Sequence, residues 1–265
     1  MDARRLFGGE IHFGPHAPRL RTKESNWNQV RRWNRQAPTS EFAGQKGFWP
    51  VFCASLADMF DNAVDPAWRA DFWHLVKECS NLTFLILTKR VGNIPQMLPS
   101  DWGGGYPNVW LGVTIVNQDE ANRDIQRLLS IPACKHFLSM EPLLGEVDLV
   151  SAGWLEKHDY MGTPKSSIDW VIVGGEAHEG ARPMNASWVS GLKGQCEMAG
   201  VPFHFKQWGE WHPVKEIEDA PGSIFHRFDD GSWVRRNGAK SNGCAIDGVE
   251  VKQWPMGQSI RGNCP

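Results

Sequence analysis

None of the six cysteines lies within nineteen positions of another, and the nearest pair, Cys244 and Cys264, is twenty apart. That spacing excludes C-x-x-C redox pairs and zinc-finger sets, and no metal site is expected. Tyrosine is nearly absent, at 2 residues against 14 tryptophans, so indoles must supply much of the core or the walls of a site. No stretch approaches the roughly 18 apolar residues of a helical membrane span, so no membrane partner is expected. Met1–Glu10 carries Asp2, Arg4 and Arg5 with no apolar run behind them, which does not read as a secretory signal. Reduced cysteines in a cytoplasmic protein are therefore expected. Neither charge sign dominates: the formal net charge of −2 removes the simplest case for wholesale nucleic-acid binding. Also missing are G-x-S-x-G, G-x-G-x-x-G and the P-loop pattern. His12 and His16 are separated by Gly14-Pro15, which prevents a helical metal pair.

The charge that is present is unevenly spread. Residues 1–50 hold nine basic and four acidic residues, a net of +5, which leaves −7 for the remainder. This basic segment suits either a solvated helix face or contact with a nucleotide or nucleic acid. Ser25 is a candidate helix cap, with Trp27 and Val30 following it.

From residue 48 a regular rhythm appears. Apolar runs at Phe48–Ser55, Leu82–Thr88, Val109–Ile115, Lys135–Met140, Ile168–Gly174 and Val201–Gln207 read as strands. Pro66–Cys79, Asn117–Ser130 and Ala186–Ala199 read as helices. Alternating strands and helices imply a parallel sheet with both faces covered. Asp65-Pro66 and Asn117 are helix starts, and Ala199-Gly200 is a stop. Residues 142–167 carry no helical pattern. Asp229-Asp230-Gly231 and Asp247-Gly248 mark hairpins. The expected organisation is an α/β chain in three parts. A basic segment spans 1–47, a partial parallel (β/α) barrel spans 48–209, and a small β-rich appendage spans 210–265.

In parallel α/β sheets ligands bind at the carboxyl ends of the strands. The residues just past each expected strand are Ser55 and Asp58; Lys89 and Arg90; Thr114 and Asn117; Ser139 and Glu141; Gly174, Gly175 and Glu176; and Lys206, Gln207 and Trp208. Gathered at one mouth, they would form a polar site for a small-molecule or nucleotide-like ligand, since buried charges must pair or bind something. Gly174-Gly175 would let a ligand approach the backbone, and Trp208 would offer a stacking face, although a tight turn and plain packing are the alternatives. Glu141 and Glu176 are expected to sense the same ligand. Cys53, within a strand, reads as a structural thiol.

The blocks SLADMF, LTKR, PNVWLGVTIVNQ, FLSMEPLLG, DWVIVGGEAHEGARPM and GVPFHFKQWGEW, over roughly residues 20–212, resemble the phage gp thirty-seven / gp sixty-eight family, and the closing AIDGVEVKQWP resembles that family's end. The resemblance implies a barrel of the radical S-adenosylmethionine (TIM-like) type. It also implies S-adenosylmethionine and a [4Fe–4S] cluster held by C-x6-C-x2-C near the N-terminus. This chain begins about where the family continues past that motif, and none of its cysteines can replace the triplet. Either the recorded start lies downstream of the true one, or the chain is a divergent member that has lost the chemistry. As it stands, no cluster is expected. The alternatives are a cluster-free nucleotide or nucleic-acid binding module and a structural phage or prophage protein.

Overall fold

The computed structural model describes residues 18–53, 57–217 and 222–255. Ser55, His12 and His16 therefore lie outside the described residues. Helix α1 (Glu24–Gln36) precedes a small antiparallel hairpin of β1 (Glu41–Phe42) and β2 (Gln45–Lys46). Ser25 does not cap α1. The helix already starts at Glu24, so Ser25 sits inside the first turn, and Lys23 at the cap position makes no side-chain cap.

Six strands then form one parallel sheet that curls into a half-barrel: β3 (Pro50–Cys53), β4 (Thr83–Thr88), β5 (Val109–Thr114), β6 (Lys135–Met140), β7 (Trp170–Gly174) and β8 (Phe203–Gln207). Their spatial order is their chain order, and every neighbouring pair is parallel. Between them lie α2 (Pro66–Glu78), the short α3 (Ile94–Met97), α4 (Gln118–Leu129) and α5 (Ala186–Ala199). Local chemistry sets their starts. The carboxylate of Asp65 accepts from the Ala67 N–H, and Asn117 and Asn185 cap α4 and α5 in the same way. Gly200, at φ 64°, ends α5. The connection from β6 to β7 holds no helix and no strand of either sheet.

Period-two alternation sends the two sides of each strand to different cores. One side (Ile86, Leu111, Val113, Leu138, Met140, Val171, Val173, Phe203, Phe205) packs against the helices through residues such as Val76, Ile125 and Leu192. The concave side carries Leu85, Trp110, Phe137, Trp170 and Ile172, joined by Phe48 and Trp254. Lateral register builds these concave residues into layers, with Leu87, Gly112, Phe137 and Trp170 side by side, then Thr114, Ser139, Ile172 and His204. The Phe137 ring lies over Gly112, where any Cβ would meet it at 2.3 Å.

Beyond β8 comes a three-stranded antiparallel sheet of β9 (Trp211–Val214), β10 (Phe225–Arg227) and β11 (Trp233–Arg236), in the order β10-β11-β9. The one-turn helix α6 (Ala239–Asn242) leads to a hairpin of β12 (Ala245–Ile246) and β13 (Val249–Glu250). Both hairpins fall at the two Asp-Gly signals. The tail then returns to the half-barrel. Phe205 donates to the Val251 carbonyl at 2.7 Å and Gln253 donates to that of Phe203 at 3.1 Å, which covers the outer edge of β8. Trp254 sits on the concave floor, with ring centroids 4.5 Å from Trp170 and 4.9 Å from Phe42. The C-terminal segment is thus part of the barrel floor as well as a β-rich extension.

His136 on β6 is buried, its Nε2 lies 2.8 Å from the Ile131 carbonyl, and desolvation lowers its pKa despite the favourable field of Asp169. The folded state therefore resists a proton that the unfolded chain accepts near pH 6.5. Stability should be fully present above that pH and decline as pH falls below it. Thermal melts from about pH 7.5 to about pH 5 should show this decline, and it should be smaller in His136→Asn. An identical pH profile for the variant would remove His136 as the cause.

Candidate functional site

The strand ends deliver their polar residues to one edge, but the residues there divide into two groups. The first group holds the scaffold together. Asp58 accepts from the Phe60 N–H, from the Thr88 hydroxyl at 2.8 Å, from the Lys89 N–H and from the Arg90 guanidinium at 2.9 Å. Arg90 also reaches Asp61, which pairs with Arg19 at 2.7 Å. Arg90 is therefore committed to carboxylates of the chain itself, and the Asp58 carboxylate ties the loop after β3 to the end of β4.

Asn117 is spent on capping, since its side chain accepts from the Glu120 N–H while Glu120 accepts from the Val116 N–H. The Gln207 amide donates to the Gly175 carbonyl. Trp208 is buried in the core on the helix side, and its indole donates to the Ala245 carbonyl. At Gly175 the close approach is made by the chain itself, because a Cβ there would lie 2.0 Å from the Trp208 carbonyl oxygen. Glu176 pairs with Arg182 and lies 3.6 Å from His178. The Arg182 guanidinium holds the Glu176 carboxyl below the usual carboxylate range, against the opposing effect of burial.

The second group faces the concave side. The ammonium of Lys206 donates to Glu141 Oε2 at 2.6 Å, and the Ser139 hydroxyl donates to Oε1 at 3.2 Å. Gly174 sits beside them, since a Cβ there would meet Glu141 Oε2 at 3.1 Å and Lys206 Cβ at 3.5 Å. Thr114, level with Ser139 in register, is 4% exposed, and its hydroxyl has no hydrogen-bond partner among the described residues. Lys89 follows Leu87 by two residues and so continues the concave side of β4. It is exposed, yet desolvation lowers its pKa, while the carboxylates of Glu120, Asp58 and Glu141 oppose that shift. Among the described residues no carboxylate lies within ion-pair reach of the Lys89 ammonium.

Glu141 and Glu176, expected to serve one ligand, thus have separate cationic partners. Three contributors escaped the sequence reading: Glu120, His204 and Trp254. Asn117-x-x-Glu120 carried a capping-box signal for the first. His204 was visible as the alternate partner of Lys206 on β8. Trp254 had no local signal, because only the returning tail places it.

Three arginines of the basic segment pair with carboxylates of the chain. Arg19 pairs with Asp61, Arg21 with Asp71 at 2.7 Å, and Arg31 with Glu78 at 2.9 Å. Desolvation pushes Cys53 and Cys196 up to about 12 and Cys79 up to about 11, which keeps them protonated, and no three His, Cys, Asp or Glu residues group as metal ligands among the described residues. No helix of the described residues is long and apolar enough to cross a membrane.

A family model described as "Protein of unknown function (DUF5131)" matches residues 3–255. No curated protein matches the chain, and no solved structure matches it.

Proposed function

Given that the chain belongs to the DUF5131 family, we propose that its half-barrel is of the radical S-adenosylmethionine type and that its concave strand-end site binds the amino-acid part of an S-adenosylmethionine-like ligand. The observation that carries this reading is the set of unsatisfied and opposed groups on one face. Among the described residues the Lys89 ammonium makes no ion pair and the buried Thr114 hydroxyl has no hydrogen-bond partner, and the Glu141 carboxylate stands on the same side. An amino-acid group carries a carboxylate and an ammonium. Lys89 and Thr114 match the first as donors, and Glu141 matches the second as an acceptor that already holds a cation.

S-adenosylmethionine, when bound, supplies an activated sulfonium carbon. The protein's own residues bind and orient: Ser139 and Lys206 fix the Glu141 carboxylate, and the Asp58–Arg90 pair fixes the loop beside Lys89. The described residues do not fit a [4Fe–4S] cluster, so no step through one is assigned to them.

Calorimetric titration of the full chain with S-adenosylmethionine, and separately with methionine and with adenosine, tests the reading. Lys89→Met and Glu141→Gln should each weaken S-adenosylmethionine binding about tenfold or more, as expected for the loss of a charge-assisted bond of about 1.5–3 kcal/mol. Melting temperature should change little, because neither side chain supports a core. Absence of binding to both S-adenosylmethionine and methionine would refute the proposal, as would unchanged affinity in both variants.

A further inference from the structure

The β9–β11 sheet has two chemically different faces. Trp211 and Val234 pack with Ala181, and the Trp211 indole donates to the Ala181 carbonyl at 2.7 Å, so that face is fixed against the chain. Register defines the other face. Phe225 lies opposite Arg235, Arg235 opposite His212, Arg227 opposite Trp233, and Trp233 opposite Val214. Directly opposed residues share a face, so this face alternates rings with cations; at its β9 end His212 packs on Trp208 with ring centroids 5.8 Å apart, and toward β10 it opens outward at the exposed Arg227. The Arg227 guanidinium lies 5.7 Å from the Trp233 ring centroid, and that of Arg235 lies 5.9 Å from the Phe225 centroid. Both distances are close to the roughly 6 Å outer limit of cation–π contact, so neither guanidinium is tightly stacked.

Among the described residues, Arg227, Arg235 and Lys215 make no ion pair, whereas Arg236, on the opposite face, pairs with Glu210 at 3.5 Å. The Nε of Arg235 is buried and has no hydrogen-bond partner among the described residues. Arg235 and Phe225, with Val214, Lys215 and Glu216, enclose a groove of about 380 Å³. Among the described residues, Glu216 is the one carboxylate lining it.

We propose that the outward face of the β9–β11 sheet binds single-stranded nucleic acid, with bases stacked on Phe225 and Trp233 and phosphates paired to Arg227, Arg235 and Lys215. Bases supply flat faces that tolerate any sequence, and the backbone supplies anions for three cations that make no ion pair among the described residues. Phe225 and Trp233 are diagonal neighbours on adjacent strands, about 7–8 Å apart by sheet geometry, which suits successive bases of an extended strand. This surface is distinct from the concave strand-end site and does not depend on what that site binds.

The test is fluorescence anisotropy of a labelled oligothymidylate of about twelve nucleotides, titrated with the full chain at several salt concentrations. A repeat with oligouridylate shows whether the sugar matters. The plot of log affinity against log salt should have a slope of about −2, from roughly 0.7 per phosphate contact on a single strand. Arg227→Glu, at an exposed position, should weaken binding about tenfold or more and flatten that slope. Trp233→Leu should weaken binding about fivefold or more with the slope unchanged. Lys89→Met, in the strand-end site, should bind as the parent does. No binding at low salt would overturn the proposal, as would binding insensitive to Arg227→Glu. If heparin competes equally and Trp233→Leu has no effect, the surface is a general polyanion site and the stacking assignment is wrong. Loss of binding in Lys89→Met but not in Arg227→Glu would move the site to the barrel mouth and refute this one.

Discussion

Trp170→Ala should cost about 3–5 kcal/mol, enough to lower the melting temperature of a chain this size by about 10 °C or more. Trp170 is 2% exposed and is the largest fully enclosed side chain of the concave floor. Its ring packs against Trp110, Phe137, His204 and Trp254, and its indole N–H donates to the Gln253 carbonyl at 2.9 Å. Truncation therefore removes a large apolar contact and orphans a carbonyl in the same step. The tail should loosen too, because Trp254 stacks on the lost ring. Hydrogen exchange at Phe205, whose amide bonds to Val251, should accelerate in the variant. A melting temperature within about 2 °C of the parent would show that the tail and floor are not packed as described.

Gly175→Ala should be comparably damaging for a different reason. Its added methyl would lie 2.0 Å from the Trp208 carbonyl oxygen, and the reciprocal Gly209, at φ 77°, has a Cβ position 2.1 Å from the Glu176 carbonyl. Both obstacles are backbone, tied by the Gly175–Gln207 and Glu210–Glu176 hydrogen bonds at 2.9 and 2.7 Å. Relief requires the β7 and β8 ends to separate, at an expected cost of about 3 kcal/mol or more. Gly191→Ala is the matched control. It lies inside α5 with nothing near its Cβ position, so it should stabilise the chain by about 0.5–1 kcal/mol. Chemical denaturation of both variants measures the contrast, and equal stability of the two would contradict the close crossing.

Much of the fold was legible because its signals are local. Lys135–Met140 and Ala186–Ala199 form the strand and helix that their patterns predict, residue for residue. Proline at the start of α2, asparagine before α4 and α5, and glycine after α5 each satisfy groups within a few positions of themselves. Parallel order follows as well, since continuous apolar strands separated by helical stretches must be covered on both faces. The gathering of strand-end residues at one edge is a consequence of that order.

What each gathered residue does was not written locally. Asp58, Arg90 and Trp208 share the edge with Lys89, Thr114 and Glu141, and, apart from the capping signal at Asn117, nothing in the sequence separates the scaffold from the open site. Tertiary structure decides it through partners some thirty positions away: Thr88 and Arg90 claim Asp58, and Ala245 claims Trp208. Gly175 reads as room for a ligand until Trp208 is brought against it. Trp254 reads as one more tryptophan until the tail crosses to the floor. The sequence by itself determined the elements, their order and the edge where polar groups collect, because helix periodicity, strand alternation and capping act over short range. Only the tertiary structure decided which of those groups stay unpaired, because pairing depends on distances that chain position does not encode.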